Sequence, residues 1–174
     1  LLLQQVAVRY RIDFFGDVAD ASLIHLHTGL LLAIAMLVRD GRTVAGCFLL
    51  AGAGWALRQI YLFDGGQPTL TLAWGAAGYL LQYAWTLLCV HWMGWPRKRD
   101  TRVQRGDLMR FAAIGLLLYP LVMALLGLSN LLVSSPGEAL SAAFQMFFAK
   151  QFGVAVVTLP LVIGWLERSE PAPR

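Results

Sequence analysis

The chain of 174 residues is 58% hydrophobic and 14% charged, with a mean hydropathy of +0.63. Soluble domains usually have about a quarter of their residues charged, so this composition excludes an ordinary soluble domain and predicts an integral membrane protein. The formal net charge of +4 therefore bears on membrane topology and does not indicate nucleic-acid binding.

The apolar stretches have the lengths of transmembrane helices, and the alternation typical of strands is absent. A helix needs about 20 residues to cross a bilayer, and only helices or closed barrels satisfy their backbone in lipid. We therefore predict an all-α, polytopic transmembrane helical bundle that forms a single integral-membrane domain over residues 1–174. Its five spans are predicted at about residues 22–38, 43–63, 70–93, 108–133 and 142–166.

The basic residues are confined largely to alternate loops. The loops after the second and fourth spans contain Asp64 and Glu138 and no Lys or Arg. By the positive-inside rule, the basic loops and the C-terminus are predicted to be cytoplasmic. The residues on that side are Arg39, Arg42, Arg97, Lys98, Arg99, Arg102, Arg105, Arg168 and Arg174.

Small residues and prolines predict how the spans pack. The clusters AGAGWA in the second span and WGAAGY in the third favour close helix approach. Pro120 and Pro160 fall inside the fourth and fifth spans, where proline kinks a helix and frees a carbonyl group.

Costly polar side chains collect in the outer half of the predicted bundle, although they come from different spans. A charged residue at the bilayer centre costs about 2.5–3.5 kcal/mol on insertion scales, so such residues usually face a bundle interior or a cavity. We therefore predict a pocket, open to the outer side, that binds a small anionic or polar ligand. Its candidate residues are His25, His27, Arg58, Gln59, Gln82, Gln145, Lys150 and Gln151.

Simpler interpretations of the same residues stay open. Arg58 and Lys150 can snorkel outward, and the amides can make interhelical hydrogen bonds that only fix packing. No cofactor is predicted, and haem is disfavoured because His25 and His27 diverge by about 200° on a helix while His91 lies near the opposite membrane face. Cys47, Cys89 and His91 lack metal-site spacing, so no metal is predicted. No catalytic motif occurs in these residues, so no catalytic residue is assigned.

The order of these features resembles the bacterial membrane-associated sensor (MASE) domain family of the first type. The matching pieces are TGLLLAIAMLVRDGR, FLLAGAGWAL, GYLLQYAWTL and FFAKQFGVAVVTLP, and the resemblance covers about residues 20–166. The last piece, with Gly153, Thr158 and Pro160, is the most specific. The sequence differs from the family at IHLH before Thr28, at Lys150 in place of an acidic residue, and at Gln82 in place of a common glutamate.

The resemblance implies a multi-pass sensory input domain of the bacterial inner membrane. Such domains usually have about eight helices, so early spans are expected to be missing here. Similar proteins commonly carry a cytoplasmic diguanylate cyclase (GGDEF), phosphodiesterase (EAL) or histidine kinase module after the last helix, and this chain contains none of them. Any enzymatic activity, such as cyclic di-GMP synthesis, would belong to a module after Arg174.

In this interpretation Pro160 and Trp165 relay a displacement of the fifth span to the cytoplasmic output module. The expected partners are the lipid bilayer, a small anionic or polar ligand and a second copy of the chain in a homodimer. No nucleic acid is expected. Two other classes of function stay open. A small transporter or channel subunit would use the same outward-facing polar cavity, and a structural assembly subunit would need no ligand.

Overall fold

The computed structural model describes residues 26–62, 69–95, 105–134 and 139–167, and its regular elements there are all helices. Helix α1 covers Leu26–Leu37, α2 covers Gly41–Leu62 and α3 covers Thr69–Trp92. Helix α4 consists of Arg105–Arg110, a π-helical segment Phe111–Leu118 and Tyr119–Ser134. Helix α5 consists of Ala139–Gly153, a π-helical segment Val154–Thr158 and Leu159–Glu167. The prediction of an all-α fold is confirmed, and each helix lies within a few residues of a predicted span.

Within the described residues, two helical stretches are long and apolar enough to cross a membrane: Gly106–Gly127 and Ser141–Gly164, of 22 and 24 residues. Helix α1 and the Gly41–Leu57 part of α2 are apolar but shorter. Leucines and phenylalanines lie exposed along the outer faces of α4 and α5 at four-residue spacing, which places them on one side of a helix. They are Leu117, Leu121 and Leu125 on α4, and Phe144, Phe148 and Phe152 on α5.

Helix α1 lies at the centre of the described bundle. Most of its side chains are buried, and Leu32 and Met36 are completely inaccessible to solvent. A helix that is apolar and buried nearly all round needs neighbours on every side. Here α1 packs against α2, α3 and α5, and its side chains form one core cluster with residues of all four other helices.

Glycines bring α2 and α3 together as an antiparallel pair. A Cβ atom on Gly75 would overlap the indole ring of Trp55, and one on Gly52 would lie 3.4 Å from the Tyr79 ring. One helical turn further along α2, Phe48 contacts Tyr83 with ring centroids 5.2 Å apart. The predicted close helix approach at these clusters is therefore confirmed, and the structure shows that the two clusters contact each other.

Each π-helical segment ends two residues before a proline. Tyr119, which precedes Pro120, donates its backbone N–H to the carbonyl oxygen of Ile114, five residues earlier. Leu159, which precedes Pro160, bonds in the same way to Val154. Proline lacks an N–H and its ring clashes with the carbonyl group four residues earlier, so the preceding turn widens. The α-helical hydrogen-bond pattern is therefore interrupted before each proline, and the predicted kinks at Pro120 and Pro160 stay predictions.

Asp40 connects α1 to α2 by capping the first turn of α2. Its carboxylate accepts backbone N–H groups of Arg42 at 3.2 Å and Thr43 at 3.0 Å, and the Thr43 hydroxyl donates to it at 2.5 Å. These backbone donors would otherwise have no intrahelical partner. The cap therefore fixes where α2 begins.

Candidate polar site around the first helix

Lys150 lies on the face of α5 that packs inward. It is only 4% exposed. Val154, Thr158 and Val162 follow it at four-residue spacing and are also buried, so the four side chains form one stripe along the helix. A lysine on this stripe is directed into the bundle and away from the exposed face that carries Phe148 and Phe152.

His27 on α1 is close enough to Lys150 for the two side chains to interact electrostatically. The two nitrogen-bearing side chains therefore lie in the same region of the bundle. His27 lies two residues before Gly29, and Lys150 lies three residues before Gly153, the glycine that Gly29 contacts. The structure thus brings together two of the eight predicted site residues, from the first and fifth helices.

The other predicted site residues are only partly described. Gln82, Gln145 and Gln151 are half-buried, and the Gln82 backbone carbonyl accepts a hydrogen bond from the Thr86 hydroxyl at 2.7 Å. His25 lies outside the described residues, as do the side chains of Arg58 and Gln59. Their part in the predicted pocket stays a prediction.

A buried hydroxyl network ties α1 to α3 and α4. The Tyr119 hydroxyl donates to the backbone carbonyl oxygen of Thr28 at 3.4 Å and lies 3.3 Å from the Thr86 hydroxyl oxygen. Tyr119, Thr86 and Thr28 are all completely buried. The Thr28 hydroxyl itself has no hydrogen-bond partner among the described residues. A buried hydroxyl of this kind is uncommon and has the chemistry to bind a polar ligand or a water molecule.

A second hydroxyl ties α1 to α5. Thr158 donates its hydroxyl proton to the backbone carbonyl oxygen of Gly29 at 2.7 Å. Gly29 also lies against the backbone of Gly153, where a Cβ atom would overlap the Gly153 carbonyl group. The two helices are therefore in direct backbone contact just below His27 and Lys150.

The sequence interpretation did not single out Thr86 or Tyr119. Single hydroxyls in apolar runs carry no spacing signal, because threonine and tyrosine are tolerated in membrane helices and often bond within their own helix. The available signal was local: Tyr119 directly precedes Pro120, and Thr158 lies two residues before Pro160. A hydroxyl next to a helix-breaking proline marks a place where backbone and side-chain hydrogen bonds rearrange.

The predicted relay residues lie at the C-terminal part of α5. Pro160 is exposed on the outer face of the helix, directly after the π-helical segment. The Trp165 side chain lies outside what the structure describes.

The described carboxylates lie at helix ends, whereas Lys150 lies in the middle of α5. The carboxylates in the described ranges are Asp40, Asp107 and Glu167, and each belongs to a helix end or the turn before it. No group of three or more metal-ligating side chains occurs within the described ranges. A buried ammonium, an imidazole and a hydroxyl suit an anion or a strongly polar group.

No family model, curated protein or solved structure matches this chain. The resemblance to the membrane-associated sensor family stays a prediction.

Proposed function

We propose that this chain is a membrane-embedded sensory input domain of the first MASE type in the bacterial cytoplasmic membrane. The five helices would be five spans with the C-terminus in the cytoplasm, where a diguanylate cyclase, phosphodiesterase or histidine kinase module would receive the signal. The exposed leucine and phenylalanine faces of α4 and α5 support contact with lipid.

One observation carries the proposal: Lys150 is buried on the inward stripe of α5, the helix that leads to the C-terminus. An ammonium group inside an apolar bundle is costly unless a partner compensates its charge. We expect that partner to be a small anionic ligand, held by Lys150 with His27 and the Thr28 hydroxyl. Binding there would act directly on α5.

Ligand binding is tested on the purified chain in detergent micelles. Thermal unfolding is followed by circular dichroism in chloride, acetate or phosphate, with ionic strength held constant by a bulky buffer salt. A ligand that binds only the folded state raises the Tm. We expect one of these anions to raise the Tm of the parent protein and not that of Lys150→Met. Phe152→Leu, two residues further along α5 on the exposed face, serves as the matched control and should retain the increase.

Signalling is tested by fusing a GGDEF module in frame after Arg174 and measuring cyclic di-GMP in cells. We expect Lys150→Met to change the cyclic di-GMP level while Phe152→Leu leaves it unchanged. The proposal is contradicted if no anion changes the Tm and both variants match the parent. Anion flux in proteoliposomes, with an unchanged cyclic di-GMP level, would instead favour a small transporter.

A further inference from the structure

The two proline-containing helices are anchored to consecutive residues of α1. Tyr119 donates to the carbonyl oxygen of Thr28, and Thr158 donates to that of Gly29. In each helix the hydroxyl-bearing residue lies at the boundary between a π-helical segment and the proline after it. Two helices thus bind the same turn of α1 in the same way, through a hydroxyl group near a proline that donates to an α1 carbonyl oxygen.

From this arrangement we infer that the hydrogen bond from Thr158 to Gly29 is a latch that holds α5 in its π-helical register, and that its release moves the segment Leu159–Glu167. The inference rests on the proposed function only in taking α5 as the helix that carries the signal. It adds a mechanism of regulation to that function.

The latch is specific for one register. A π-helical segment holds one more residue in its turn than an α-helix does. If the turn relaxed to α-helical geometry, Val157 would take the place of Thr158 against Gly29, and valine has no hydroxyl to donate. The bond to Gly29 therefore forms in the π-helical register and is lost in the other.

The segment beyond the latch can change register without losing its apolar contact. Relaxation would extend α5 by about 1.5 Å and rotate the following residues by about 100°. Leu161 would then replace Val162, which is the buried side chain among those described for residues 159–164. Both side chains are aliphatic and of similar size, so burial of apolar surface changes little.

The segment before the latch is fixed. Gly29 and Gly153 are in backbone contact, and sliding α5 along α1 would bring larger side chains into the space of these glycines. A displacement of the π-helical turn would therefore be transmitted toward the C-terminus and not toward Lys150.

The test measures distances between spin labels in lipid nanodiscs, after replacing Cys47 and Cys89 with alanine. One pair joins the exposed positions Leu49 and Ile163, and the control pair joins Leu49 and Phe152, which precedes the π-helical segment. Thr158→Val removes the latch hydroxyl while keeping the side-chain shape. Thr86→Val is the matched control because it removes another fully buried threonine hydroxyl.

We expect the 49–163 pair in Thr158→Val to show a second distance, or a larger population of a second distance that the parent already shows. The ratio of the two populations should change about threefold, which corresponds to the loss of one hydrogen bond between membrane helices. Pro160→Ala restores a backbone N–H and should act in the same direction. The 49–152 distances should stay constant in both variants, which also verifies that the bundle remains folded, and Thr86→Val should change neither pair.

Unchanged 49–163 distances in both Thr158→Val and Pro160→Ala would overturn the inference. This measurement needs neither a ligand nor an output module. A negative result would therefore leave the sensor proposal standing, and a failure of the anion and cyclic di-GMP experiments would leave the latch standing.

Discussion

Gly29 of α1 and Gly153 of α5 lie in backbone-to-backbone contact, and a Cβ atom on Gly29 would overlap the carbonyl group of Gly153. The contact positions the Thr158 hydroxyl against the Gly29 carbonyl oxygen. It also places His27 and Lys150 at the same level of the bundle. One close approach therefore defines both the candidate site and the helix contact beneath it.

The first prediction concerns this contact. Gly29→Ala should lower the free energy of unfolding by about 1–3 kcal/mol, because backbone atoms cannot move aside as a flexible side chain can. Thermal unfolding in detergent micelles, followed by circular dichroism, measures the effect. Gly46→Ala on α2 is the control, since a Cβ atom there meets nothing within 4 Å; it should be neutral or stabilising by up to about 1 kcal/mol. Equal Tm values for Gly29→Ala and the parent would contradict the packing.

The second prediction concerns the pair Gly75 and Trp55. Gly75→Ala should destabilise the protein because the new methyl group would overlap the Trp55 indole, whereas Gly78→Ala should not, since a Cβ atom there meets nothing within 4 Å. Trp55→Phe shortens the ring and should relieve the overlap. Gly75→Ala should therefore lower the free energy of unfolding less in the Trp55→Phe background than in the parent. The difference is the coupling energy of a double-mutant cycle, and we expect about 0.5–3 kcal/mol. Strictly additive effects would show that the two residues do not meet.

Much of the architecture could be predicted because apolar length is a strong signal. The predicted span at about residues 70–93 and the observed α3, Thr69–Trp92, differ by one residue at each end. The small-residue clusters predict close helix approach, but not that the two clusters would contact each other, as they do between α2 and α3. The hydroxyl network could not be predicted, because it depends on which face of each helix points inward. An apolar run has no polar face to reveal that orientation, so the burial of Tyr119 emerges only from the packed helices, whereas the cost of a charge in lipid already favours an inward position for Lys150.

The third prediction concerns the pH dependence of the α2 cap. The Thr43 hydroxyl, followed by the backbone N–H groups of Arg42 and Thr43, lowers the pKa of Asp40 from its ordinary value of 3.8. The pKa of Asp40 is lower in the folded state than in the unfolded state. The charged cap therefore makes its full contribution to folded-state stability at pH values above the unfolded-state pKa, and this contribution is lost as the pH falls through the folded-state pKa. The Tm should therefore fall more steeply below about pH 4 in the parent than in Asp40→Asn, which keeps a capping oxygen without a charge.

The comparison is made by circular dichroism between pH 7 and pH 3 in a non-ionic detergent. Asp40→Ala, which removes both charge and cap, should have a lower Tm than Asp40→Asn throughout this range. Parallel curves for the parent and Asp40→Asn would show that the carboxylate does not contribute through its charge.

The fourth prediction separates stability from ligand binding at Lys150. Without ligand, Lys150→Met should raise the free energy of unfolding by up to about 3 kcal/mol, because it replaces a buried ammonium with an apolar side chain of similar length. Its neighbours on the inward stripe, Val154 and Val162, are apolar, so methionine fits the same environment. The Tm in detergent micelles without added anion measures the gain, and Phe152→Leu on the exposed side of α5 should leave the Tm unchanged.

The sign of the Lys150→Met effect distinguishes two roles of the lysine. A higher Tm together with loss of the anion-dependent increase means that the ammonium is retained for binding at a cost to stability. A lower Tm would mean that Lys150 is held by a stabilising partner inside the bundle, and its charge would then be unavailable to a ligand. Because the apolar variant keeps the side-chain volume, a cavity cannot account for either result.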